Sequence, residues 1–188
     1  YEKALFKIYS VWSLSGQDGA GGSDISELDA GNTVLFRSWF TLQEQTTDEM
    51  KNSWSDPWCL EINGMTWGTT KNEPIEGVYQ RCMFIVALSN EFLKNIPNAP
   101  SEVDKEQFAA EARFCRALAY YTLLDLFGIP PFITEQNYSI NPTQLERPEL
   151  FDWVESELLN IREYLPAPRQ GEYGRADQAA VDALLARM

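Results

Sequence analysis

Five of the six tryptophans, Trp12, Trp39, Trp54, Trp58 and Trp67, fall within the first 67 residues. Three of them, Trp54, Trp58 and Trp67, lie between Thr46 and Lys71, where Pro57, Gly64 and Gly68 interrupt any long element. Helical burial does not account for tryptophans there. A loop tryptophan offers a broad, flat apolar face with one polar edge. The C–H faces of pyranose rings suit such a surface, and sugar hydroxyls need planar donors and acceptors at its rim. Asp29, Asn32, Arg37, Asp48, Asn52 and Asp56 supply those groups from the same region. Taken singly, each tryptophan is more often a plug between loops and helices. Taken as a set among carboxylates, amides and an arginine, they point to a surface that holds sugar rings.

Catalytic chemistry has little to stand on. The chain contains no histidine, which removes Ser-His and Cys-His arrangements. No pair of carboxylates sits in apolar sequence of the kind that raises a general acid's pKa. Asp48–Glu49 is the obvious adjacent pair, and its expected role is to order a loop. Gly16, Gly19, Gly21 and Gly22 lack the lysine and following helix of a phosphate-cradling loop. Cys59, Cys82 and Cys115 have no metal-ligand spacing, and Cys82 and Cys115 fall in helical apolar patterns as small core residues. No cofactor or metal is implied. The net charge of −13 argues against nucleic acid, whose phosphates repel such a surface. The sequence has no apolar run of about 18 residues that would span a membrane.

Long helices supply the frame. Leu5, Ile8, Tyr9 and Trp12 give residues 2–12 an amphipathic pattern, and residues 13–32 form a Gly/Ser/Asp-rich loop. Residues 33–42 suit either a helix or a short strand. Apolar periodicity with proline or glycine stops predicts helices over 74–97, 102–127, 149–165 and 175–188, packed in antiparallel pairs. Ser101–Asp104 resembles a capping box opening the second of these. Arg113 and Arg116 have no carboxylate three or four residues away, so their partners must come from other segments. Glu155, Glu157 and Asp182 are the candidates. The fold class is mainly α, a tetratricopeptide-like helical-hairpin scaffold (73–188) with a loop-rich, ligand-facing insertion (13–72).

The segment FAAEARFCRALAYYTLLDLFGIPPFIT, from Phe108 to Thr134, resembles the signature of the SusD/RagB family. The residues that carry the match are Glu111, Ala112, Arg113, Phe114, Arg116, Ala117, Leu118, Tyr120, Leu124, Phe127, Gly128, Pro131 and Phe132. A second element, Gly174, Arg175, Ala176, Ala179 and Ala180, resembles the start of a later family helix. The likeness runs along the whole chain and is closest to the starch-binding member. It implies a helical scaffold and an aromatic arc that holds glycan with an aspartate and an arginine. The segment DAGNTVLFR places those two roles on Asp29 and Arg37, and TDEMKNSW places one arc tryptophan on Trp54. One departure stands out. A glycan-binding amide three residues past that tryptophan is replaced here by Pro57.

The resemblance further implies a non-catalytic surface lipoprotein of the outer membrane, anchored through a cysteine upstream of Tyr1. It would bind a glycan, an α-glucan by preference, and deliver it to a SusC-like TonB-dependent transporter. Tyr1 is not an initiator, and the pattern from Ala176 to Met188 ends without a cap signal, so the chain reads as the N-terminal part of a longer SusD-like domain. Two other readings stay open: a tetratricopeptide-type module whose tryptophans bind a peptide, and a fragment of a helical glycoside hydrolase.

Overall fold

The computed structural model describes residues 1–16, 22–68 and 71–188, and the chain divides into two compact units: Ser10–Arg81, and Tyr1–Tyr9 with Cys82–Met188. Gly19, Gly21 and the middle of the 13–32 loop lie outside the described residues. The helices are α1 (Glu2–Ser10), α2 (Leu35–Glu44), α3 (Pro57–Gly64), α4 (Glu73–Asn95), α5 (Lys105–Phe127), α6 (Arg147–Ile161) and α7 (Gln178–Arg187). Among the described residues the only strand-like pairing is an isolated antiparallel bridge between Pro131 and Gln144. None of the described helices is long and apolar enough to cross a membrane.

In the Ser10–Arg81 unit, the helix-or-strand ambiguity at 33–42 resolves to helix. α2 buries Leu35, Ser38 and Thr41 on one side, a spacing that only 3.6-residue periodicity satisfies. The irregular stretch after Thr46 contains a helix the periodicity hid. Pro57 sits in the first turn of α3, where its fixed φ and missing N–H favour a start, and Met65 closes the helix in the left-handed region at φ 51°. α3 carries Trp58, Cys59 and Ile62 into the core. Trp58 is therefore a packing residue, a correction to its reading as a loop aromatic.

In the other unit, α5 begins at Lys105 rather than 102. The capping group is Asp104, whose side chain accepts from the Gln107 N–H at 3.0 Å, and Ser101 stays in the preceding turn. Gly128, at φ 81°, ends α5 and donates to Leu123 and Leu124 carbonyls at 3.2 and 3.1 Å. α6 opens with a capping box between Glu146 and Glu149 and buries Leu150, Val154, Leu158 and Ile161. α7 starts at Gln178, not 175, because Asp177 is the side chain that caps it.

α5 and α6 run antiparallel, since Arg113 and Arg116 meet Glu157 while Tyr120 packs edge-on to Trp153 seven residues later along α5. Arg113 reaches Glu157 through Nε at 3.0 Å and Nη2 at 2.6 Å. Arg116 reaches the same carboxylate at 3.0 Å, donates to Asn90 at 2.6 Å, pairs with Glu135, and lies over the Trp153 ring. Arg116 is buried, as its apolar setting implies. Arg113 keeps 27% of its side chain exposed, so it is half-buried rather than enclosed. Of the candidate partners only Glu157 serves: Glu155 is exposed, and Asp182 pairs with Arg162. Burial pushes the Glu157 carboxyl up, but the guanidinium groups of Arg113 and Arg116 outweigh it and hold the carboxyl below its ordinary range. Glu111, on the same helix, is wholly buried and accepts from Arg175 (2.9 and 2.5 Å), Tyr9 (2.8 Å) and Gln107 (3.0 Å).

Candidate glycan-holding site

Within the Ser10–Arg81 unit, the DAGN segment folds back on itself and onto α2. The Asp29 carbonyl accepts from the Thr33 N–H at 3.1 Å and from the Thr33 hydroxyl, and Asp29 Oδ1 accepts from the Asn32 N–H at 2.6 Å. Asp and Asn favour such turns because their short side chains close hydrogen bonds to backbone nearby. α2 then holds the turn from the other side. Ser38 Oγ donates to the Asn32 carbonyl at 3.0 Å, and Arg37 Nη1 donates to the Gly31 carbonyl at 2.6 Å. A Cβ at Gly31 would stand 3.3 Å from Asp29 Oδ1 and 4.0 Å from Arg37 Nη1, so the carboxylate and the guanidinium flank the same backbone point.

Trp54 arrives from a separate segment. Asn52 Oδ1 accepts from the Trp54 N–H at 3.0 Å, and Asn63 Nδ2 anchors the Asn52 carbonyl at 2.8 Å. Behind it, Trp58 meets the Trp54 ring edge-on with centroids 6.3 Å apart. The Arg37 guanidinium lies over the Trp54 ring, 4.8 Å from its centroid, yet half of Trp54 remains exposed. The structure therefore brings Arg37 and Trp54 into direct contact, and Asp29 joins them through Gly31.

The other sequence candidates divide. Asn32 commits its amide to Glu73 at 2.9 Å, and Asn52 is spent on holding Trp54. Asp48 and Asp56 stand exposed, and Trp67 is exposed beyond α3. Trp12 and Trp39 pack with Phe36 in an aromatic cluster, ring centroids 6.0 to 6.5 Å apart. Sequence reading passed over Arg81, which is completely buried on α4. Its signal was a lone cation on the apolar stripe of Val78, Cys82 and Ile85. No group of His, Cys, Asp and Glu suited to a metal ion occurs among the described residues. Burial pushes the Cys82 and Cys115 thiols up, so neither is poised as a nucleophile.

What the arrangement offers is a shallow platform: an indole braced by a cation, beside an exposed carboxylate. Residues 28–188 match a SusD-like family described as starch-binding and associating with the outer membrane. The chain belongs to the SusD-like family. SusD-like proteins bind carbohydrate and are not catalytic, and they are associated with the outer membrane. The chain is 32% identical over 185 residues to the starch-binding protein SusD of Bacteroides thetaiotaomicron, covering 97% of this chain and 33% of that protein. Its fold is also that of a laminarin-binding SusD-like protein (TM-score 0.72, 19% identity, 99% of this chain and 38% of that one). A chain crystallised with a xylogluco-oligosaccharide is similar as well (TM-score 0.71, 21% identity, 98% and 34%). This chain thus spans about a third of the length of the relatives it matches.

Proposed function

We propose that this chain carries part of the glycan-binding surface of a non-catalytic, cell-surface SusD-like protein, with Asp29, Arg37 and Trp54 as contact residues. The observation that carries this reading is the Arg37–Trp54 stack beside Asp29. One sugar face packs on the exposed indole, and the Asp29 carboxylate and the remaining Arg37 donors bond its hydroxyls. An α-glucan is the favoured ligand, supported by the relation to the starch-binding SusD. The likeness to laminarin- and xyloglucan-associated structures extends to fold alone, so it does not choose a linkage. Captured glycan passes to a SusC-like TonB-dependent transporter, and the whole protein is held at the outer face of the outer membrane by a lipid anchor upstream of Tyr1.

A glycan array with the full-length protein tests the binding class. Calorimetric titration with maltooligosaccharides then tests the ligand, and binding confined to a β-glucan would replace the α-glucan. Binding of peptides with no glycan retained would shift the reading to a peptide-binding helical module.

A further inference from the structure

Arg81 is a full positive charge with no solvent contact, set between Val78 and Cys82 on α4. Burial lowers its pKa from the ordinary arginine value, and the Asp24 carboxylate counters this only in part. Such a group persists inside a fold when its donors are closely occupied. Here the acceptors all belong to one loop. Nε donates to the Thr33 carbonyl, and Nη1 and Nη2 each reach the Ser15 carbonyl at 3.4 Å. Nη1 also reaches Asp24 Oδ1 at 3.3 Å, and Nη2 the Ser23 hydroxyl at 3.4 Å. A planar fork of five donors can gather several chain points at once, which a lysine cannot do.

A second observation on the same helix face points to the same loop. Gly77, one turn before Arg81, lets Thr33 approach the helix so closely that a Cβ there would stand 2.8 Å from Thr33 Cβ and 3.2 Å from its Cα. Any larger residue must displace Thr33. Thr33 in turn bonds the Asp29 carbonyl through both its N–H and its hydroxyl, and Gly31, between them, is the carbonyl that Arg37 holds. Neither Gly77 nor Arg81 needs to touch the platform to govern it.

We infer that the Gly77–Arg81 face of α4 is a positioning device: by fixing Thr33, it sets where Asp29 and the Gly31–Arg37 pair stand relative to Trp54. Its consequence for affinity rests on the glycan-binding reading; its consequence for the loop does not. A residue that only stabilised the unit would loosen the whole unit and weaken every contact alike. A positioning device loosens the loop first and couples to Asp29 more than to Trp54, because Asn52 holds the Trp54 backbone from a separate segment and the loop reaches Trp54 only through Arg37.

The experiment combines amide hydrogen exchange with calorimetry on the full-length protein and its Gly77→Ala, Arg81→Lys and Arg81→Met variants. Gly77→Ala and Arg81→Met raise exchange at the Asn32 and Thr33 amides by about tenfold or more while the amides of α3, in the same unit, stay unchanged, with Arg81→Lys intermediate. With maltohexaose, Gly77→Ala weakens binding about fivefold or more, and adding Asp29→Ala to it costs less than Asp29→Ala costs alone. Adding Trp54→Ala loses less of its cost in the Gly77→Ala background than Asp29→Ala does. Unchanged loop exchange, exchange rising equally across α3, or Asp29 and Trp54 responding alike would overturn the inference. If the wild-type protein binds no glycan, the exchange comparison alone decides the device, and the failure belongs to the glycan reading.

Discussion

The Arg37 guanidinium rests on the Trp54 indole at 4.8 Å while its Nη1 donates to the Gly31 carbonyl at 2.6 Å. One side chain thus ties the DAGN turn to an aromatic from another segment. A cation on a ring leaves the ring's uncovered surface for a ligand, and half of Trp54 is open. Aromatic anchors concentrate binding energy, so Trp54→Ala is expected to weaken maltooligosaccharide binding by the full-length protein at least tenfold, about 1.4 kcal/mol. Arg37→Ala is expected to cost less, since its hydrogen bonds stay open to water. Titration calorimetry checks both, and unchanged affinity in Trp54→Ala would sink the platform.

Glu157 receives both Arg113 and Arg116, so neutralising it weakens two charged pairs at once and leaves Arg116 with Glu135 and Asn90. Glu157→Gln is expected to destabilise the fold by about 3–5 kcal/mol, the range for breaking a buried pair. Arg113→Met should cost less than Arg116→Met, because Arg113 is partly solvated whereas Arg116 is 2% exposed. Urea unfolding of the three variants gives the ranking, and equal losses for the two arginines would contradict it.

The same cluster sets an acid sensitivity. Glu157 has a folded-state pKa held below its ordinary value of 4.5, so the unfolded chain binds the proton more readily. Its stabilisation is complete above about pH 4.5 and is lost as pH falls through the lowered folded value. Unfolding free energy measured from pH 6 downward should therefore fall less steeply in Glu157→Gln than in the wild type. Identical slopes would remove Glu157 from the acid transition.

Arg162 and Asp182 make an equally well-formed pair, at 2.7 and 2.8 Å, but both stand in solvent. Water screens the attraction, and ordering two exposed side chains offsets the rest. Asp182→Ala is expected to leave the thermal midpoint unchanged, as scanning calorimetry would register. A clear drop would mean the pair is coupled to α7 more tightly than its exposure indicates.

Cys59, Cys82 and Cys115 are free thiols, each buried. None should react with an aromatic disulfide reagent until denaturant opens the fold, after which all three should react. Fast labelling of any one in the native state would place it at a surface.

The long helices were legible in the sequence, because periodicity, proline and glycine are local signals, whereas α2 was ambiguous and α3 was hidden. The runs of α4, α5 and α6 and the stop at Gly128 follow from them, and so does the need of Arg113 and Arg116 for distant carboxylates. The exact starts of α5 and α7 were not. Ser101 and Asp104, or Arg175 and Asp177, compete for a cap, and the winner depends on where the preceding chain is tied. The matched segments also named Asp29, Arg37 and Trp54; in the fold Arg37 contacts Trp54, and Asp29 stands across Gly31 from Arg37.

Only the tertiary structure decided what each repeated residue type does. Trp54 and Trp58 lie four residues apart in sequence, yet Pro57 starts a helix that buries one and leaves the other open. Glu155 and Glu157 are two apart, and the rotation of α6 sends one to water and the other to two arginines. In sequence Arg81 is a lone cation on the apolar stripe of α4, with no sign of what covers it. It is buried because a distant loop wraps it, and a side chain's environment is set by which segments meet over it, a long-range property that spacing along one helix does not encode.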